Sequence, residues 1–349
     1  MIHFKNKKLQ RYLTILLSVI LFVTFLPVFQ NMNEVQAAKN VVVVIDPGHG
    51  GTNMGTEYLG IPEKTYTLTI ANYMKQELEK YDNVTIYMTR TTDIDVSLQQ
   101  RADIAAAVNA DYLYSLHLNL SPSHKLYGAE VWIPSSGTLY CNGVSFGVEE
   151  LKELQKLGIF SRGVKTKVNG STQKDYYGVI RACSEYAIPS SIIEHCHVDH
   201  PIDAQYYASQ EALQNLGIAD ATAVAKYFGL KSSKLGVNYG NYTLTAVPVP
   251  TGIVNQDITP PEVATASLKS YDKSTRKVDV ALTGADSQSI LQYYSYSFDH
   301  GTTWSVLYPW GVGNQSEAMI TAPDHASSVV FQIYNLYDKV TQTNEITLN

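Results

Sequence analysis

The sequence predicts an α/β fold, a compact mixed or parallel sheet flanked by helices, followed by a small all-β sandwich of immunoglobulin or fibronectin type. Three observations carry this. From Lys39 to Phe228 the hydrophobic period switches repeatedly between 2 and 3.6, the mark of strands alternating with covering helices. The first apolar run, Val41 to Ile45, ends abruptly in Asp46-Pro-Gly-His-Gly-Gly51, a buried strand feeding a glycine-rich loop. Beyond Gly229 helical periodicity stops, and short alternating runs separated by Gly- and Asp-containing turns take over, the pattern of a small sandwich.

In chain order, Ile70, Met74, Leu78 and Tyr81 share a helical face within Thr65 to Tyr81. Val84 to Met88 reads as a strand, Leu98 to Val108 as an alanine-rich helix, Tyr112 to Leu116 and Gly128 to Ile133 as strands, and Val148 to Leu157 as a helix. Ser190 to Ile193 is a short strand, closed by two helices, Ala204 to Leu216 and Thr222 to Phe228. Residues 229–262, rich in Gly, Ser, Asn, Thr and Pro, form a linker with a short strand or two. In 263–349 the alternating segments are Lys277 to Leu282, Gln292 to Phe298 and Val329 to Tyr337. Tyr294, Tyr296, Trp304, Tyr308 and Trp310 are either the sandwich core or a ring-stacking surface for carbohydrate or wall.

The N-terminal residues 1–38 read as a signal peptide. A basic stretch precedes an apolar run from Tyr12 to Phe29, and Val35-Gln36-Ala37 suits a signal peptidase. An uncleaved anchor is the alternative, the run being close to the roughly 20 residues a bilayer crossing requires. Either way the remainder is expected outside the membrane, secreted or at the wall. Residues 1–38 hold four of the 26 bases and one of the 32 acids, so the rest carries 22 against 31, a net charge of −9. With no basic run, nucleic acid is excluded as a partner, because phosphate binding draws on Lys and Arg. Cys141, Cys183 and Cys196 are too few and too far apart for a disulfide scaffold or a thiolate zinc site.

The chemistry-bearing residues gather at strand ends. His49 lies in the glycine loop after the first strand, at the carboxyl edge where α/β sites open. Glu63 follows a turn made by Gly60 and Pro62, and His117 ends the strand begun at Tyr112. Two imidazoles and one carboxylate with an open fourth position form a known catalytic zinc arrangement, although no compact HExxH helix is present. Glu194 ends the run Ser190-Ser-Ile-Ile193 at the same edge. It can take the proton of a metal-bound water and pass it to a leaving nitrogen, or it is simply the first residue of a polar loop. His195, His197 and His200 cannot all face one metal and are read as supporting, cleft or surface residues. Asp46 is an acceptor for a ligand imidazole or an ordinary turn cap.

Together these residues carry a resemblance. Ile45-Asp-Pro-Gly-His-Gly-Gly51, Pro62-Glu63-Lys64, Thr89-Arg90-Thr91-Thr92-Asp93, Arg101-Ala102-Asp103 with Val108-Asn-Ala-Asp111, Ser115-Leu-His-Leu-Asn119, Gly128-Ala-Glu130 and Ile188-Pro-Ser-Ser-Ile-Ile-Glu194 resemble the zinc-dependent N-acetylmuramoyl-L-alanine amidases of bacterial cell walls. The similarity runs from Val41 to about Phe228, so 39–228 is expected to be the catalytic domain. The resemblance implies one Zn²⁺ on His49, Glu63 and His117, with Glu194 as the catalytic carboxylate. It implies cleavage of the amide between N-acetylmuramic acid and L-alanine in peptidoglycan. Arg90 and Arg101 match basic positions where support of the fold is expected, and Asn119 joins Asp46, His195 and His197 as neighbours of the site. Two departures stand out: Thr52-Asn53 after the double glycine, and His195-Cys-His-Val-Asp199 after the final glutamate. The competing readings are a zinc peptidase or carboxypeptidase acting on wall peptides and a catalytically inert wall-binding protein. A monomer is expected.

Overall fold

The computed structural model describes residues 40–58 and 60–348; the expected signal peptide, 1–38, lies outside the described residues. The N-terminal unit runs β1 (Val41–Pro47), α1 (Glu63–Leu78), β2 (Val84–Met88), α2 (Leu98–Ala107), β3 (Tyr112–Asn119), β4 (Ala129–Trp132), α3 (Gly137–Lys156), β5 (Ser161–Lys165), α4 (Gly178–Glu185), β6 (Ser190–His197) and α5 (Gln210–Tyr227). Its six strands lie in the order β2-β1-β3-β6-β4-β5. The first four are parallel. β4 runs antiparallel to β6, and β5 parallel to β4, so the sheet is mixed.

Successive strand side chains alternate between faces, and both faces are covered. Val43, Ile45, Tyr112, Tyr114 and Ile193 pack with Ile70, Met74, Phe146 and Leu216 under α1, α3 and α5. Val44, Leu113 and Ile192 pack with Ala102, Ala105, Val179 and Ile180 under α2 and α4. Extending the second set by two residues along each strand brings Asp46, Ser115, then His117, and Glu194 to the carboxyl edge on the α2/α4 side.

Several boundaries differ from the sequence reading. The helix expected from Val148 begins at Gly137. Gly143 and Gly147 hide its first turns from a propensity argument, yet they let the helix approach the sheet: a Cβ on either would stand 2.6 Å from Ile133 or 2.9 Å from Val164. The two closing helices are a 3₁₀ turn, Ala204–Tyr206, and the single helix α5. Gly217 does not break α5, because it faces the backbone of α1, where a Cβ would lie 2.7 Å from the Met74 nitrogen. β5 and α4 are elements that the hydrophobic pattern did not mark.

Residues 231–232 and 237–238 form a short hairpin. The following segment runs along the N-terminal unit: Val254 N–H donates to the Ser135 carbonyl at 2.7 Å, and the Gln256 amide bonds both the N–H and the carbonyl of Val168. The C-terminal unit is all β, a three-stranded sheet β7 (Val263–Asp272), β8 (Lys277–Ala285) and β11 (Gln315–Thr321), facing a sheet ordered β10 (Tyr308–Pro309), β9 (Leu291–Ser297), β12 (Ser328–Asn335) and β13 (Val340–Gln342), with β14 (Ile346–Thr347) also on β12. Val280, Leu282, Phe331 and Ile333 fill the space between. Trp310 and Tyr294 belong to this core, so they offer no free face for carbohydrate. Tyr308 stacks on Tyr294 and Tyr296 at 5.4 and 5.8 Å, using ring faces internally.

Candidate metal centre

The loop after β1 is held open by strained backbone and two buried arginines. His49 adopts φ 60° and Gly51 φ 57°, a left-handed pair that non-glycine residues enter at some cost. Arg90 donates to the carbonyls of Pro47 and Gly48 at 3.0 and 2.8 Å. Arg101 donates to those of Pro47 and His49, both at 2.8 Å, and pairs with the buried Asp46 carboxylate. Both arginines are therefore scaffolding for the loop that presents His49.

Three side chains from three elements meet above this loop. Glu63, the first residue of α1 and only 2 % exposed, places Oε2 3.0 Å from His49 Nε2 and Oε1 2.9 Å from His117 Nδ1. The Thr56 and Leu118 N–H groups donate to the same carboxylate at 2.8 and 3.0 Å. Burial alone would raise the Glu63 pKa, but hydrogen bonds and charge from His117 and His49 hold it well below the ordinary carboxylate range. For His49 burial works to lower the pKa, and the Glu63 contacts outweigh it, leaving a net rise above 6.5. One donor atom from each residue can be chosen so that all lie within 4.8 Å of one another.

Two imidazoles and a carboxylate are borderline donors suited to a divalent transition metal, and the surroundings fit such an ion. Gly48 supports the His117 ring so closely that a Cβ would lie 2.3 Å from Cε1. Asn53 Oδ1 stands 3.0 Å from His49 Nδ1 and Ser115 Oγ 3.2 Å from His117 Nε2, outer partners of the kind that fix a ligand's tautomer. A cavity of about 430 Å³ opens beside the imidazoles, walled by Asn53, Asp95, Ser97, Gln100 and Val179.

Glu194 is the direct register partner of His117 on the adjoining parallel strand, and of Glu130 on the antiparallel one. Its Oε2 is buried and has no hydrogen-bond partner among the described residues. Burial first, then the carboxylates of Glu63 and Glu130, push its pKa well above the ordinary range.

The remaining sequence candidates lie around this centre rather than in it. Asp46 touches neither imidazole; it accepts from Ser115 Oγ at 2.7 Å and from Thr89 Oγ1 at 2.5 Å, so Ser115 stands between it and His117. Asn119 donates to Glu130 at 3.0 Å. His195 points away from the cleft, since residues alternate along β6. It lies 2.9 Å from the His117 carbonyl and 2.9 Å from Asp220 Oδ1. His197 is buried against the Gly128 carbonyl at 3.1 Å, and burial lowers its pKa to about 3. His200 stacks on Tyr127. His195, His197 and His200 are all buried, and none of them lines the cavity beside the imidazoles. Sequence reasoning assigned no role to Glu130, Ser115 or Asp220; the alternation Ala129-Glu130-Val131-Trp132 was the available signal for Glu130.

A mixed α/β sheet with two histidines and a glutamate converging on one loop at its carboxyl edge defines a class of α/β proteins whose sheet edge carries a donor set compatible with a divalent metal. Comparison with known proteins narrows the class. Residues 43–226 match the family model described as N-acetylmuramoyl-L-alanine amidase, and the chain belongs to that family. It is 32 % identical over 195 residues to the N-acetylmuramoyl-L-alanine amidase CwlM of Bacillus licheniformis, covering 55 % of this chain and 71 % of that one. It is 31 % identical over 198 residues to the sporulation-specific N-acetylmuramoyl-L-alanine amidase of Bacillus subtilis (strain 168), covering 55 % and 70 %. Among solved structures, Cwp6 from Clostridium difficile superposes with a TM-score of 0.50 and 26 % identity over 54 % of this chain and 29 % of that one. The C-terminal sandwich lies outside the family match.

Proposed function

We propose that this protein hydrolyses the amide joining N-acetylmuramic acid to L-alanine in bacterial peptidoglycan, and that it uses one zinc ion held by His49, Glu63 and His117. The observation that carries the reading is the convergence of those three side chains beside Glu194, in a chain of the amidase family. When bound, zinc supplies a Lewis acid that polarises a carbonyl and makes a water acidic enough to attack near neutral pH.

The chain's own residues do the rest. Glu63 fixes both imidazoles while its second set of hydrogen bonds, from Thr56 and Leu118, fixes Glu63. Glu194 accepts the proton of the attacking water and delivers it to the departing alanine nitrogen. Burial first, then the neighbouring carboxylates of Glu63 and Glu130, raise its pKa; a cation held by Glu63 would oppose that shift and favour the ionised form a base requires. The cavity along Asn53, Asp95 and Gln100 accommodates part of the substrate next to the reacting carbonyl.

Residues 1–38 act as the export signal, 39–228 as the catalytic unit and 263–349 as a β-domain, and the enzyme works as a secreted or wall-located monomer. Cell-wall amidases among its relatives support that location. No helix among the described residues is long and apolar enough to cross a membrane. The test is mass analysis of peptidoglycan digested with the zinc-loaded protein. Intact glycan strands and stem peptides with a free L-alanine amino group are expected. Cleavage inside the peptide, or no cleavage at all, refutes the reading.

A further inference from the structure

The C-terminal domain is built into the edge of the catalytic sheet that carries Glu130. Arg162 on β5 is 2 % exposed and shared between the domains. Its Nε donates to Glu130 Oε2 at 2.9 Å, and its Nη2 to Asp338 Oδ2 of the sandwich at 2.8 Å. Beside it the Thr166 N–H donates to Tyr337 Oη at 3.1 Å, and Tyr293 Oη donates to the Tyr127 carbonyl at 2.5 Å. Tyr127, Tyr293 and Leu307 form a buried apolar cluster across the junction, with Phe160 packed on it. A module joined only by a tether needs none of these contacts.

Glu130 is the residue on which the junction converges. Besides Arg162 it accepts from Lys165 Nζ at 2.6 Å, Trp132 Nε1 at 3.1 Å and Asn119 Nδ2 at 3.0 Å. Every acceptor direction of a carboxylate is thereby taken, and its strand is register-paired with Glu194. Burial favours the neutral acid, but the charges of Lys165 and Arg162 keep Glu130 ionised.

We propose that the C-terminal domain is a positioning element of the hydrolytic site: the turn at 335–339 holds Arg162 on Glu130, and Glu130 in turn fixes β4 against the strand bearing Glu194. The Asp338 carboxylate keeps the guanidinium pointed along one line. Without it the guanidinium keeps Glu130 and a 3.3 Å bond from Nη1 to Tyr293 Oη but loses the carboxylate that holds Nη2, and the Glu130 end of the cleft loosens. Misplacing a reacting group by an ångström costs as much as 100-fold in rate, so the contact is felt in turnover although Asp338 never meets substrate. The inference rests on the amidase reading and on Glu194 as its catalytic carboxylate.

The test uses the full chain. Asp338 sits at φ 59°, which glycine and asparagine adopt readily, so Asp338→Gly removes the carboxylate without backbone strain and Asp338→Asn keeps one acceptor. Asp324, exposed and ion-paired with Arg276 on the surface, supplies Asp324→Ala as the control. Three readouts are taken: kcat and KM on a soluble muropeptide, zinc per chain, and amide hydrogen exchange over 129–132 and 192–194. Asp338→Gly is expected to lower kcat about 10- to 100-fold with KM within about 2-fold, to leave zinc unchanged and to speed exchange in both strands. Asp338→Asn is expected to recover part of the loss, and Asp324→Ala to change nothing. Wild-type kcat in Asp338→Gly overturns the proposal, as does a loss accompanied by loss of zinc or not relieved by Asp338→Asn. Exchange does not depend on turnover. A wild-type protein that cuts no amide refutes the amidase reading, and the positioning contact is then upheld by faster exchange in Asp338→Gly and overturned by unchanged exchange.

Discussion

Replacing Asp46 by alanine tests how the loop carrying His49 is held. Asp46 is 1 % exposed and Arg101 4 %, and removing one partner of a buried ion pair costs about 3–5 kcal/mol because the other charge is left uncompensated. Here Arg101 keeps the carbonyls of Pro47, His49 and Val96, which moves the cost toward the lower end. Ser115 and Thr89 each lose an acceptor, which moves it back up by about 1 kcal/mol or more. A net loss of about 4 kcal/mol results. The unit spanning 43–226 falls in the size class where 1 kcal/mol shifts Tm by about 2–4 °C, so its transition drops by about 8–16 °C. The assay is thermal unfolding of the full chain by circular dichroism in the presence of a chelator, which removes any contribution from bound metal. A shift under about 3 °C refutes the view that this buried pair holds the loop.

Gly48→Ala brings a Cβ to within 2.3 Å of the His117 ring, so it displaces that imidazole and lowers metal content well below one per chain, read by elemental analysis after dialysis. Metal affinity also depends on pH: His49 has a pKa raised above 6.5, and protons compete with the metal for its lone pair. Titration calorimetry at pH 8, 7 and 6 is therefore expected to show weakening that begins above pH 6.5. In the metal-free protein the sign reverses. The His49–Glu63 contact stabilises fully below pH 6.5 and is lost as pH rises through the raised His49 value, so the metal-free Tm loses this contribution over the interval in which metal affinity grows. Gly217→Ala forces a Cβ against the α1 backbone, 2.7 Å from the Met74 nitrogen, and lowers stability by about 1–3 kcal/mol, measurable by urea denaturation.

The parts of the fold legible in the sequence are those whose burial is apolar. β1, β2, β3 and the face of α1 announce themselves because Val, Ile, Leu and Met recur at the right period. β5, Ser161-Arg-Gly-Val-Lys165, does not: its two buried residues, Arg162 and Lys165, are cations compensated by Glu130. Hydropathy cannot distinguish them from solvated residues. The start of α3 is hidden by glycines whose value lies in close packing on the sheet. His49, His117 and Glu194 could be placed at strand ends and Glu63 at a helix start from local sequence, but their joint roles are implied only by the family resemblance. The junction through Arg162 could not, because Glu130 and Asp338 lie 32 and 176 residues away from it. Nor could the partner of His195, which is Asp220 in α5.

The central claim is that His49, Glu63 and His117 hold a zinc ion and that Glu194 moves the proton. Zinc content and release of free L-alanine amino groups, measured side by side on His117→Ala and Glu194→Gln, test it most directly. His117→Ala is expected to lose stoichiometric zinc and activity together, while Glu194→Gln retains one zinc per chain and hydrolyses nothing. Zinc retained in the first variant, or near-normal turnover in the second, contradicts the account.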